Sequence, residues 1–400
     1  MMDREVVIVD GMRTAFGRNG GSLRKFYATD LCAAVLKGLT RKTGILERGK
    51  VDCVFLGSAF HDVHCNNFAR YSMLSAGLPY ETSATFLEMQ CGSGIAAINH
   101  AALQIKSGAA DVAIAGGGES CSQRFAKFSM AIEPYKTIPP SAVPNFLAPE
   151  LADQIDMIKI SDLMAKRWDV SREACDEFAA RSQELANNAV TKGYFDDEIV
   201  PIEIPAQSKK QPGFTFDKDE HPRPGTKLES LAGLKPVNAG GVTTAGNASG
   251  RNDGASALLL MSAEKAAELG YTPIARWVFG ADVGVDPKYM GIGPAYSNLK
   301  VIEKVGLKLD DIDVFECNEA FAAQNISCIR EMENLTGSSI PMAKWNPNGG
   351  AIAFGHPNGA SGGRIAIFAI KELLRSGGRY GLISSCCGGG LGVSTLFERI

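Results

Sequence analysis

No apolar run in the 400-residue chain approaches the roughly 18 residues that a membrane-spanning helix needs. Basic residues are not in surplus: 41 Lys and Arg stand against 44 Asp and Glu, for a formal net charge of -3. The basic patch of a nucleic-acid binder is therefore not expected. Histidines number only five, and none pairs with cysteines at metal-ligand spacing, so no metal is expected. A short fixed period is missing too, which argues against a solenoid. At the N-terminus Met1-Met2-Asp3-Arg4-Glu5 runs into Val6-Val7-Ile8-Val9, too short and too acidic at its flank for an export signal. Phe397-Glu398-Arg399-Ile400 matches no retention or peroxisomal tripeptide. These absences predict a cytoplasmic protein whose ten cysteines are reduced thiols, most of them small buried hydrophobes.

What is present is ample apolar material, 45% of residues, and 44 glycines that cluster. Gly116-Gly117-Gly118, Gly349-Gly350, Gly362-Gly363 and Gly388-Gly389-Gly390 adjoin apolar β-branched runs, which read as buried strands ending in tight turns. Helical stretches, such as Ile95 to Lys106 and Ile365 to Leu374, lie between them. Alternating strand and helix signals predict an α/β fold with covered sheets. The chain also repeats itself. Val54 to Phe60 resembles Val314 to Phe321. Ser93-Gly94 opens a helix closing at Ser107-Gly108 before a strand and three glycines; Ser361-Gly362 opens one closing at Ser376-Gly377, before the strand Tyr380 to Ser384 and three more. Two matches in the same order predict a duplicated half. From about Cys121 to Gly250 this rhythm breaks, with prolines, the charged Lys209-Lys210 and Asp217-Lys218-Asp219-Glu220, and helices over Asp162 to Trp168 and, behind the N-cap Ser171, Asp176 to Val190. This middle reads as an insertion over the core, suited to substrate contacts.

Three positions have surroundings fit for chemistry. Cys91 lies in Met89-Gln90-Cys91-Gly92-Ser93-Gly94-Ile95, just ahead of a helix. A thiol there feels the positive end of the dipole and is expected to have a lowered pKa, presented on a strained turn; a buried cysteine at a tight helix start is the plain alternative. His356 sits among glycines in Asn348 to Gly362, where substrate can approach the backbone closely. His61, His64, His100 and His221 lack such context and read as surface or core residues. Cys386 and Cys387 end a strand; neighbours on a strand point to opposite faces, and the pattern does not choose between them. A Cys and a His far apart in sequence suggest nucleophilic catalysis without naming the reaction.

At these motifs the chain resembles the thiolase family over nearly its full length. The Cys91 segment is similar to the family's nucleophile turn. Asn318-Glu319-Ala320-Phe321, Gly355-His356-Pro357-Asn358-Gly359-Ala360-Ser361-Gly362 and Cys386-Cys387-Gly388-Gly389-Gly390-Leu391-Gly392 are similar to its other three active-site blocks, and Thr244 to Ala255 to its CoA-contacting loop. The resemblance implies a duplicated five-layered α-β-α-β-α core of two five-stranded halves: residues 1–121 with 251–271, an inserted loop domain at 122–250, and a second half at 272–400. It implies a ping-pong reaction in which acetyl-CoA and an acyl-CoA are joined to, or released from, a 3-oxoacyl-CoA. His356 takes the Cys91 proton, Cys91 is acylated, and Cys386 moves the proton of the acetyl methyl. One oxyanion site would be a water held by Asn318 and His356. The other would be the N–H groups of Cys91 and Gly388. The CoA moiety would touch Arg223, Ser230 and Ser249, with Met157, Ala320 and Phe321 also lining the substrate path. No resident cofactor is implied, CoA thioesters being substrates, and a homodimer or homotetramer is.

Two other readings stand beside this one. A 3-ketoacyl synthase of the same superfold would lack a second catalytic cysteine, and a non-catalytic subunit would usually have lost Cys91 or His356. The chain also departs from its family. Asp156-Met157-Ile158 stands where acetoacetyl-CoA enzymes of the biosynthetic type carry His-Met-Gly, Asn238 replaces an aromatic, and Thr137-Ile138-Pro139-Pro140 to Pro149 has no obvious counterpart. These departures predict a more polar pocket wall and an acyl chain longer, more branched or more polar than acetoacetyl.

Overall fold

Nine apolar segments make the path of one sheet: β1 (Val6–Thr14), β2 (Cys53–Gly57), β3 (Ser83–Leu87), β4 (Val112–Ser120), β5 (Asn252–Ser262), β6 (Ala275–Gly284), β7 (Val314–Cys317), β8 (Tyr380–Cys387) and β9 (Leu391–Arg399). The computed structural model describes residues 4–60, 64–129, 135, 139–144, 146–150, 153–206, 208 and 212–400. His61, Thr137, Ile138, Lys209 and Lys210 lie outside them.

Strand order shows the duplication directly. The first five strands run β1-β5-β4-β2-β3, and the last four run β6-β9-β8-β7. Each series begins with two antiparallel pairings and continues parallel. The segments around Val54 and Val314 thus take equivalent places. The implied five-stranded second half needs correction, since it has four strands. A single parallel bridge from Phe315 to Trp345 stands where the fifth would be. β1 and β6 pair antiparallel and join the halves.

Helices cover both faces. Ala28–Thr43 packs its apolar side on the first half, and Gly293–Val305 and Ala322–Thr336 pack on the second. Between the halves lie Ser93–Lys106 and Asn358–Ser376, whose Ile95, Ile98, Ile365 and Ile370 share one apolar cluster with strands of both series. Burying each such side chain contributes about 1.5–3 kcal/mol. The first of these helices begins at Ser93, as the sequence predicts; the second begins at Asn358, just ahead of the expected Ser361. The inserted region holds helices Met157–Arg167 and Arg172–Thr191, the latter capped by Ser171, which accepts from the Ala174 N–H at 3.1 Å.

Gly116-Gly117-Gly118, expected in a turn, lies within β4, and Gly362-Gly363 lies inside the helix that Ser361-Gly362 was expected to open. The reason is close backbone approach. A Cβ on Gly362 would stand 2.4 Å from the Ile95 nitrogen, and one on Gly94 would stand 2.6 Å from the Gly359 carbonyl oxygen. The two central helices therefore touch backbone to backbone at their N-terminal ends, which brings Asn358, at the start of one, against Cys91, just ahead of the other.

Candidate active site

The turn before Ser93 is locked by its own polar groups. The Met89 N–H donates to Ser93 Oγ at 2.9 Å, and that hydroxyl donates to the Gln90 carbonyl at 2.6 Å. Gln90 is held at φ 49°, a conformation few side chains adopt, so the expected strained turn is present. Cys91 follows, partly exposed as a residue, with its sulfur enclosed. The Asn358 Nδ2 group lies 3.1 Å from Cys91 Sγ as a donor, and the N–H groups of Cys91 and Gly388 also favour the thiolate. Burial nevertheless dominates and pushes the thiol up to about 11. This corrects the expected lowering: the helix-end field is outweighed by loss of water around the sulfur.

His356 is set by the glycine before it. Gly355 has φ +89°, and a Cβ there would collide with the Asn252 amide, which accepts from the His356 N–H at 3.1 Å. The ring is buried. Nδ1 lies 2.6 Å from Ser361 Oγ, and Nε2 lies 3.3 Å from Asn318 Nδ2. With the Asn318 amide donating to Nε2, the ring proton sits on Nδ1 and donates to Ser361, which donates in turn to the Pro357 carbonyl at 3.2 Å. Burial, helped by the Arg364 charge, lowers the imidazole to about 3, so the ring is neutral. Asn318 Oδ1 is buried and has no hydrogen-bond partner among the described residues.

Cys386 and Cys387 face opposite sides of β8. Cys386 joins the cluster that holds Cys317 and Ala320; Cys387 packs with Trp277 and Val393, and its sulfur would lie 2.5 Å from a Cβ on Gly92. Burial pushes both thiols well up, and a thiolate at Cys91 would raise them further. Gly388 continues the strand into the turn formed by Gly389 and Gly390, at φ +89° and +91°. Leu147 stands over this turn: its Cδ2 would be 3.4 Å from a Cβ on Gly388.

On the side of the insertion, Arg223 and Ser230 line one cavity of about 220 Å³ with Gln183, His221 and Thr226. The Arg223 N–H donates to Gln183 Oε1 at 2.9 Å, leaving its guanidinium exposed. The Ser249 N–H donates to the Ala320 carbonyl at 3.0 Å, and Ala248 bridges to Phe321, so these three predicted contacts form one unit. Met157 opens its helix and packs toward the cluster of Ala320 and Cys386. The polar departures are not loose in a tunnel wall. Asn238 donates to Asp162 at 2.9 Å, and Asp156 caps the Met157 helix by accepting from the Ile158 N–H at 2.9 Å.

Sequence reasoning did not single out Asn358, Ser361, Glu119 or His221. Asn358 and Ser361 lay in a block already quoted, and their spacing from His356 on a helix start was the available signal. Glu119 is buried and pushed up to about 7 by that burial, although Ser58 Oγ and the N–H groups of Ala59, Phe60 and Gly359 all donate to it. His221 packs on Gly250 and is lowered to about 4, chiefly by burial. His64 stacks on Tyr27 at 4.4 Å and His100 bonds the Ala96 carbonyl at 2.8 Å, as core or surface residues do.

Residues 6–264 match the thiolase N-terminal domain and residues 271–399 match the thiolase C-terminal domain. The chain is 42% identical over 409 residues to the 3-oxoadipyl-CoA/3-oxo-5,6-dehydrosuberyl-CoA thiolase of Escherichia coli (strain K12), covering 99% of this chain and 100% of that one. It is 41% identical over 403 residues to the acetyl-CoA acetyltransferase of Thiocystis violacea, covering all of both chains. The crystal structure of the Bacillus anthracis acetyl-CoA acetyltransferase superposes with a TM-score of 0.90 at 38% identity, covering 99% of each chain. With both domains matched in order and relatives aligned end to end, the chain belongs to the thiolase family and is an acyltransferase that makes and breaks the carbon–carbon bond of a 3-oxoacyl-CoA.

Proposed function

We propose that Cys91 is the acyl-carrying nucleophile, His356 its general base, and Cys386 the acid/base at the carbon–carbon bond. The observation that carries this is the convergence of three distant segments on one sulfur: Asn358, two residues after His356, and Gly388, two after Cys386, both donate toward Cys91 Sγ. With the thiol near 11 and the imidazole near 3, both groups are neutral at rest, so His356 removes the proton as the sulfur attacks, not before. In cleavage the Cys91 thiolate attacks the 3-oxo carbon, the bond to the acetyl-CoA carbon breaks, and Cys386 protonates that carbon. CoA then takes the acyl group from Cys91. In synthesis these steps run backward. The N–H groups of Cys91 and Gly388 serve one oxyanion. The Asn318 and His356 side chains serve the other, and the buried Asn318 Oδ1 can accept from a water held between them. Removing one such donor costs about 100- to 1,000-fold in rate.

CoA binding is assigned to Arg223, Ser230 and Ser249, supported by the shared cavity of the first two. Arg223→Ala is expected to raise the KM for acyl-CoA about tenfold with kcat nearly unchanged, since an exposed guanidinium contributes equally to ground and transition states. An unchanged KM removes Arg223 from the site. The reading includes no resident cofactor or metal, a homodimer or homotetramer, a cytoplasmic setting, and domain bounds of 1–121 with 251–271, 122–250 and 272–400. Among the described residues no helix is long and apolar enough to cross a membrane.

The preferred acyl chain is longer or more polar than acetoacetyl. Asn238 and Asp156 are committed to protein hydrogen bonds and do not support this. The stretch up to Pro149 does. Its Leu147 covers Gly388, and its Ala142 and Val143 line a cavity of about 360 Å³ beside Gln90, together with Arg124 and Lys127. The relative named a 3-oxoadipyl-CoA thiolase acts on a substrate of that kind. The test is kcat/KM across a panel from acetoacetyl-CoA to longer and carboxylated 3-oxoacyl-CoAs. A maximum away from acetoacetyl-CoA is expected; preference for acetoacetyl-CoA over the whole panel defeats the assignment.

A further inference from the structure

Asn358 is the only side chain among the described residues that hydrogen-bonds the Cys91 sulfur, at 3.1 Å. It is the first residue of the helix Asn358–Ser376, following Pro357, so its backbone direction is fixed by the same turn that aims His356. That turn is clamped from behind. The Gly359 N–H donates to the buried Glu119 at 3.1 Å, and a Cβ on Gly359 would stand 2.5 Å from the carbonyl oxygens of both Gly57 and Gly118. The helix start therefore has no room to shift, and the Asn358 amide has few other positions to take. An amide N–H can donate to sulfur but cannot take its proton, which separates this role from that of His356.

We infer that Asn358 is a further catalytic residue, whose Nδ2–H holds Cys91 Sγ and stabilises its thiolate both as it attacks and as it is expelled from the acyl-enzyme. This rests on Cys91 being the nucleophile. With the sulfur enclosed, the amide replaces a water that would otherwise solvate the developing charge. It acts in both half-reactions, because the same thiolate is formed on attack and on acyl transfer to CoA.

The test reads the sulfur directly. The rate of Cys91 carboxamidomethylation by iodoacetamide is followed by mass spectrometry from pH 7 to 10. Asn358→Leu is expected to lower that rate about 10-fold or more at every pH in the range, because a hydrogen bond to a charged group is lost. Asn358→Gln, which keeps an amide donor, is expected to regain part of it. The burst of CoA released from acyl-CoA should fall in parallel, with the KM for CoA unchanged. Asn358→Ala removes the donor without adding bulk and gives the same reading if the Leu variant does not fold. Alkylation within twofold of the wild type in the donor-free variants, or a Gln variant no better than Leu, overturns the proposal. Alkylation reports on this sulfur whether or not it carries the acyl group, so the result is separate from the test of Cys91 as nucleophile.

Discussion

Cys91→Ser is expected to take up no acyl group and to lose about 10⁴- to 10⁶-fold in turnover, the range seen when a nucleophile is removed from a covalent mechanism. The wild type, incubated briefly with acyl-CoA, should gain one acyl group, located at Cys91 by mass spectrometry. A hydroxyl is isosteric enough to keep the turn, where Ser93 and the Gln90 carbonyl set the geometry without the sulfur. It fails chemically. Its proton is far harder to remove than a thiol's, and the neutral His356, lowered to about 3, is too weak a base to take it. An acyl group found on Cys386 or Cys387 would show that the nucleophile is misassigned.

The second large effect separates the two acid/base residues. Cys386→Ala should still form acyl-Cys91 but lose about 10²- to 10⁴-fold in condensation and in carbon–carbon cleavage, the usual worth of a positioned acid/base group. His356→Ala should lose a similar factor in acylation itself, visible in a single turnover. Cys387→Ala should keep most activity and cost stability only, about 1 kcal/mol for a small buried side chain packed against Gly92. Because Cys386 rests well above the usual thiol range, it starts as a proton donor, so single-turnover cleavage should show its loss more sharply than exchange at Cys91. An active Cys386→Ala enzyme with a dead Cys387→Ala enzyme would invert the assignment.

Much of this was legible beforehand. The repeated strand–helix–strand pattern, the irregular middle and the blocks around Cys91, Asn318, His356 and Cys386 all stand in local sequence, because turns and helix starts are specified by neighbouring residues. The helix Asn358–Ser376 starts ahead of the expected Ser361 because Pro357 acts through backbone geometry more than through apolar period. The glycines at 116–118 lie in a strand and not in a turn for a related reason. Their lack of a side chain serves a contact with residues far along the chain, which no local window contains.

The sequence alone determined the class of fold, the duplication and the reactive residue types, since composition, period and motif order are properties of the chain. Only the tertiary structure decided three further matters. It chose the face of β8 for each cysteine, through the side of the sheet each core cluster occupies. It set the charge state of the pair, raising Cys91 and lowering His356, because burial depends on what the rest of the chain brings around them. It also placed Asn358 on the sulfur, through two helices that meet without side chains between them, a contact made by residues more than 260 positions apart.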